Sequence, residues 1–213
     1  MDSAPPPTSP SARSSAQFAL DPSTGGDLLF AGIADRVIDD TWLWNGSTWK
    51  QLHPRHSPQQ FGSGTLADVP AAREDVLVGA NDYQDPGFNS WTWTGSDWKP
   101  WRGSPTPPAR GGSATSTLPN GTGVVSTGGC LESLSFRHPV SPSKIVEVCL
   151  TKQSWVWSSN GWEKVPNLTP APDTEEGAMA TDTRTDSIVL FGGQLGPELP
   201  TSTWILRYQP GAK

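Results

Sequence analysis

Three histidines, two cysteines and a few loop carboxylates are the residues of this 213-residue chain best suited to chemistry. His53 and His56 lie in one segment, LHPRHSP, and His138 stands apart. Zinc sites gather ligands at short spacings such as Cys-x-x-Cys, or His-x-x-x-His on a helix. Neither spacing supports a site here, so His53 and His56 read as solvated turn residues and no metal is expected. Asp35, Asp39 and Asp40 form one acidic cluster, and Asp82 and Asp85 flank Tyr83 in another. Calcium takes six to eight oxygens and neither cluster has an EF-hand pattern, so both read as turn formers and strand caps. The nucleophile elbow Gly-x-Ser-x-Gly and the phosphate-binding Gly-x-Gly-x-x-Gly do not occur. No catalytic set and no cofactor is expected. Cys130 and Cys149 admit two readings: a disulfide closing a loop of about 20 residues and contributing on the order of 3 kcal/mol, or two ordinary buried thiols.

The elements that would position these residues are legible in the rest of the chain. Gly and Pro number 22 each, Trp numbers 11, and the formal net charge is −6. So much Gly and Pro argues against a helical bundle, and so many aromatics argue against disorder. An acidic chain with few cations is a poor nucleic-acid binder. No apolar run approaches the ~20 residues of a membrane helix, and no signal peptide follows Met1. Residues 1–10 read as a Pro/Ser-rich linker.

The tryptophans reveal a repeat. DDTWLWNGSTWKQL, FNSWTWTGSDWKPW, KQSWVWSSNGWEKV and TSTWILRY each place Ser or Thr before a Trp: Trp42, Trp91, Trp155 and Trp204, spaced by 49, 64 and 49 residues. The first three add Trp at +2 and +7. Upstream of each lies an apolar run ending in small residues (LLFAG, VLVGA, VVSTGG, IVLFGG), and before that a strand of small residues. We term these strands a, b, c and d. Trp-x-Trp in strand c puts both rings on one sheet face. Asn45-Gly46, Thr94-Gly95 and Asn160-Gly161 are expected to turn c into d, letting the Trp that opens d meet those of c. The units span about 11–57, 58–107, 108–171 and 172–213, and the last has no evident strand d. Asn45, Asn120 and Asn167 begin glycosylation sequons, two of them in tight turns.

This pattern resembles the kelch repeat, particularly its bacterial form with a second Trp, through Phe191-Gly192-Gly193, the variable loop and Thr203-Trp204. The resemblance covers nearly the whole chain after Pro10. It implies an all-β propeller of about four kelch-like blades over 11–213. Either four units close a compact ring, or the chain forms part of a larger one, completed by further chain or by a homodimer. Ten of the eleven Trp recur from unit to unit, which favours packing between blades over a sugar-stacking platform. Trp101 is the exception and is expected to be exposed.

In a four-strand meander the b–c loops and the joints between units emerge together. The third b–c loop is longer by 15 residues and lies between the two Cys. Varied loops on a repeated scaffold suit a binding surface. From the b–c loops the candidate residues are Arg36, Tyr83 and Phe88, with Phe136, Arg137 and His138 in the long insert. From the joints they are His56, Trp101, Arg102 and Arg110. The leading expectation is a non-catalytic module for a protein or carbohydrate ligand. It stands beside a propeller enzyme (hydrolase, lyase or isomerase) and a structural domain of a longer surface protein. An extracellular or cell-surface location is favoured, with a cytoplasmic one left open.

Overall fold

A computed structural model describes residues 9–58, 63–80, 90–108, 111–129, 153–165, 176–194 and 199–207. The chain divides into two compact units, residues 1–102 and 103–213. Among the described residues all regular structure is β, in four antiparallel meanders. The first unit holds β1 (Gln17–Asp21), β2 (Gly26–Phe30), β3 (Thr41–Trp44) and β4 (Trp49–Leu52), then β5 (Ser63–Val69), β6 (Glu74–Ala80), β7 (Ser90–Trp93) and β8 (Trp98–Pro100). The second holds β9 (Ala114–Thr117), β10 (Val124–Thr127), β11 (Ser154–Ser158) and β12 (Gly161–Val165), then β13 (Ala178–Asp182), β14 (Ser187–Phe191) and β15 (Thr203–Leu206). Strands a, b, c and d of the repeat are these strands in order, and the last sheet has three.

The tryptophan pattern sets the register. Trp44 pairs with Trp49, Trp93 with Trp98, and Trp157 with Trp162. Their ring centroids lie 5.3, 5.3 and 5.5 Å apart, tilted or edge-on, the arrangement aromatic quadrupoles prefer. The connecting turns are of two kinds. Asn45 Oδ1 accepts the Ser47 and Thr48 backbone N–H groups at 3.0 and 2.9 Å, with Gly46 at φ 92°. Gly95 takes the same place in the second sheet, at φ 84°. In the third sheet the positive φ falls on Gly161, the last residue before Trp162, so Asn160-Gly161 makes a different turn. Ser158 holds the position of Asn45 there, and its hydroxyl oxygen accepts the Asn160 backbone N–H at 3.3 Å, a weaker counterpart of the Asx turn.

The small residues ending strand b also have a conformational reason. Ala31 and Gly32, Gly128 and Gly129, and Gly192 and Gly193 all have positive φ. Two successive left-handed residues take the chain out of the ladder, which glycine does without steric cost. The a–b turn contains a left-handed residue in every sheet, directly before strand b at Gly25, Arg73 and Asp186 and three residues before it at Gly121.

Within each unit one sheet packs on the next through the face that carries the strand-c tryptophans. In the first unit Trp93, Trp98, Leu66 and Leu77 form one core with Leu28, Phe30 and Ala31. Phe30 meets Trp98 at 4.7 Å between ring centroids, and the Trp98 indole N–H donates to Thr41 Oγ1 at 3.1 Å. In the second unit Ile188, Leu190 and Leu206, with Met179 and Trp204, pack on Ala114, Leu118, Val125 and Val156. The hydroxyls of Ser116 and Thr181 bond at 2.7 Å between those sheets. The tryptophans of the second and fourth sheets thus serve packing between sheets.

Candidate functional site

The β2–β3 connection, residues 31–40, is the b–c loop described throughout, and it is held from its feet. The left-handed pair Ala31-Gly32 throws the chain out of β2. Ile33 then forms isolated bridges to Ser14 and Val37. Ile38 N–H donates to the Gly32 carbonyl at 2.9 Å, and Ala31 N–H to that of Asp40 at 3.1 Å. Arg13 crosses beneath: its guanidinium donates to the Ala31 carbonyl at 3.0 Å and forms a two-pronged ion pair with the Asp40 carboxylate. A Cβ on Gly32 would press on the Arg13 stem at 2.8 Å, so this close crossing requires glycine.

Partial burial pushes the Asp40 carboxyl's pKa up, but hydrogen bonding, first from Arg13 and then from Trp42, together with the Arg13 charge outweighs it and holds the pKa below the usual 3.8. A depressed carboxyl stabilises the fold above its unfolded pKa, and that contribution is lost as pH falls through the folded one. Arg13→Met is therefore expected to cost about 2 kcal/mol at neutral pH, the scale of a charged hydrogen-bonded pair. It should open residues 31–40 to proteolysis. Urea unfolding and limited proteolysis read both effects, and an unchanged midpoint would show that the pair does not hold the loop.

What this brace presents to solvent is Ile33, Ala34, Asp35 and Arg36. The tip carries both charges and an apolar side chain, which suits recognition of a polar or charged partner. The sequence pattern flags Arg36 but not Arg13, whose role arises from a contact with a residue 27 positions away.

His56 is exposed, and its ring is tied to the turn between β7 and β8. Its Nδ1 lies 2.8 Å from Asp97 Oδ2, and its backbone N–H donates to Asp97 Oδ1 at 2.9 Å. That backbone bond, then the imidazole, lowers the Asp97 pKa. Ser57, next along, donates to the Asp39 carbonyl in the b–c loop at 3.2 Å. The joint after β4 thus connects the b–c loop of one sheet to the c–d turn of the next. Trp101 is half-buried rather than exposed, and its N–H donates to the Ser90 carbonyl at 2.9 Å, extending the β7–β8 ladder. Arg102 is exposed. Tyr83, Phe88, Arg110, Phe136, Arg137, His138 and both cysteines, Cys130 and Cys149, lie outside the described residues. Of the sequon asparagines, Asn45 and Asn120 spend their side-chain oxygens on their own turns, and Asn167 lies outside the described residues.

A second feature is absent from the motif pattern. Asp75 on β6 is fully buried and neither carboxyl oxygen has a hydrogen-bond partner. It pairs across the ladder with Asp68 and Trp93. Burial, then the charges of Asp21 and Asp68, push its pKa up to about 9, so it holds a proton at neutral pH. Asp21 itself is satisfied, accepting from Ser23 and Thr24 in its turn and from the Trp93 indole at 3.4 Å. Among the described residues no three of His, Cys, Asp and Glu could hold a metal ion together. At its register position Val124 and Ile188 stand in the third and fourth sheets and the half-buried Asp27 in the first, so the sequence column alone does not set Asp75 apart. No protein-family model matches the chain, and no curated protein matches it.

Proposed function

We propose that this chain is a kelch-type β-propeller module, its four sheets acting as blades. It binds a protein or carbohydrate ligand through the b–c loops, in an extracellular or cell-surface setting. The observation that carries the reading is the braced β2–β3 loop. Arg13 and Asp40 fix its feet, while Asp35 and Arg36 stand in solvent on top. A loop ordered from below and varied above loses little entropy on binding. The strands that carry such loops repeat in register from sheet to sheet, while the loops differ in sequence and length, as expected of a scaffold with a variable surface.

The test is retention on immobilised panels of glycans and of extracellular protein domains, comparing the wild type with an Asp35→Ser/Arg36→Ser double variant. At least one panel member should be held, and the variant should bind it about tenfold or more weakly. No retention on either panel, or undiminished binding by the double variant, refutes the reading. One observation favours a second reading, a structural domain within a larger assembly: Phe18, Leu20, Phe191 and Ile205 expose about half their surface.

A further inference from the structure

Strand register makes those exposed side chains specific. On the β1–β4 sheet, Phe18 and Leu20 share a face with Trp42, Trp44 and Trp49. The corresponding face of the β5–β8 sheet carries Trp91, Trp93 and Trp98, and there Trp93 and Trp98 are fully buried against the neighbouring sheet. Trp44 and Trp49 hold the same register positions yet are only half-buried, with Phe18 53% and Leu20 49% exposed beside them. This face is built to be covered by a sheet.

The structure also shows what kind of surface covers it. Trp98 is received by Phe30 and by the Thr41 hydroxyl, beside Ala19 and Leu28. In the β13–β15 sheet the residues in those register positions are Phe191, Thr203, Ala180 and Val189. Phe191 pairs with Thr203 as Phe30 pairs with Thr41, and Val189 pairs with Ala180 as Leu28 pairs with Ala19. Ile205 likewise stands where Leu43 stands. On this receiving surface Phe191 is 52% and Ile205 53% exposed, and Ala180 and Thr203 are exposed.

We propose that a second copy of this chain covers the tryptophan face of the β1–β4 sheet with the outer face of its own β13–β15 sheet. Trp49 then stacks on the partner copy's phenylalanine, and its indole N–H reaches the hydroxyl of the paired threonine, as Trp98 does with Phe30 and Thr41. One chain carries both halves of the contact, so no other protein is required. The halves complement each other and not themselves, so copies join head to tail. Two such contacts close a dimer, and more would make a larger ring or a filament. The inference rests on sheet register and exposure, and is independent of the loop ligand.

The test is the mass in solution of the full chain by sedimentation velocity across a concentration series. The wild type should exceed the 22.8 kDa of one chain as concentration rises. Leu20→Lys and Phe191→Lys should each raise the dissociation constant about a hundredfold. Mixing the two variants should restore a one-to-one complex, because one intact contact remains between them. Both positions are exposed, so near-UV circular dichroism should be unchanged. Phe18→Lys and Ile205→Lys repeat the test if either variant misfolds. A wild type that stays at the mass of one chain throughout overturns the proposal, as do variants that associate undiminished or a mixture that stays monomeric.

Discussion

Asp75→Asn should make the protein more stable at neutral pH, by about 2–4 kcal/mol. Most buried substitutions destabilise, so the expected sign is itself diagnostic. The native carboxyl keeps its proton up to a pKa of about 9, while the unfolded carboxyl loses it near 3.8. Between those values the folded state binds more protons than the unfolded state, so stability falls as pH rises, by about 1.4 kcal/mol per pH unit. Above about pH 9 both states are ionised and this slope ends. Asparagine has nearly the same shape and never ionises, so it removes the slope. It keeps a buried polar group, and for that reason the gain is less than the full protonation cost. Asp75→Val removes the polar group as well and copies what Val124 does in the same register. Thermal melts of the three proteins from acid to alkaline pH read the effect directly. A wild type and an Asn variant with parallel pH profiles would show that Asp75 does not carry the proton assigned to it.

The features that were legible in the sequence are those set by local spacing. Trp-x-Trp followed by a Trp five residues later fixes a hairpin, because only one register brings Trp44 onto Trp49 and Trp93 onto Trp98. Gly-Gly after strand b is legible for the same reason, since left-handed backbone favours glycine. Where the same conformation falls on an ordinary residue the signal vanishes: nothing in the sequence marks Arg73 or Asp186 as left-handed. The Asn160-Gly161 pair gave the position of a turn but not its type, because turn type depends on which residue's side chain can accept the freed N–H groups. At the candidate site, the exposed tip at Asp35 and Arg36 was visible as an irregular loop. Its brace was not, because Arg13 lies upstream of the first strand and meets Asp40 only once β1, β2 and β3 are side by side. Asp75 was not legible even by comparing units column by column, because Asp27 holds the same position in the first sheet, and what distinguishes Asp75 is its full burial.

Gly123→Ala is expected to be the most damaging single-methyl change in the second unit, at roughly 3 kcal/mol or more. Gly123 precedes β10, and a Cβ there would run into the Trp157 backbone carbonyl, with Leu118 Cδ1 at 3.3 Å on another side. A flexible side chain could move aside, but a carbonyl held in the β10–β11 ladder cannot. Relief would require sliding that ladder, and its first pair is Val124 with Trp157. Trp157 in turn stacks on Trp162, so the displacement reaches the hairpin that closes the sheet. Gly46→Ala separates steric from conformational cost. Gly46 has positive φ but no atom within 4 Å of the added methyl, so only the left-handed backbone is penalised, by about 1 kcal/mol. Urea titrations followed by tryptophan fluorescence should place the Gly123 variant's midpoint well below that of the Gly46 variant. Equal midpoints would mean that the β10–β11 ladder yields to the methyl group. The close approach of strand b to strand c at Trp157 would then be a feature the fold tolerates rather than one it requires.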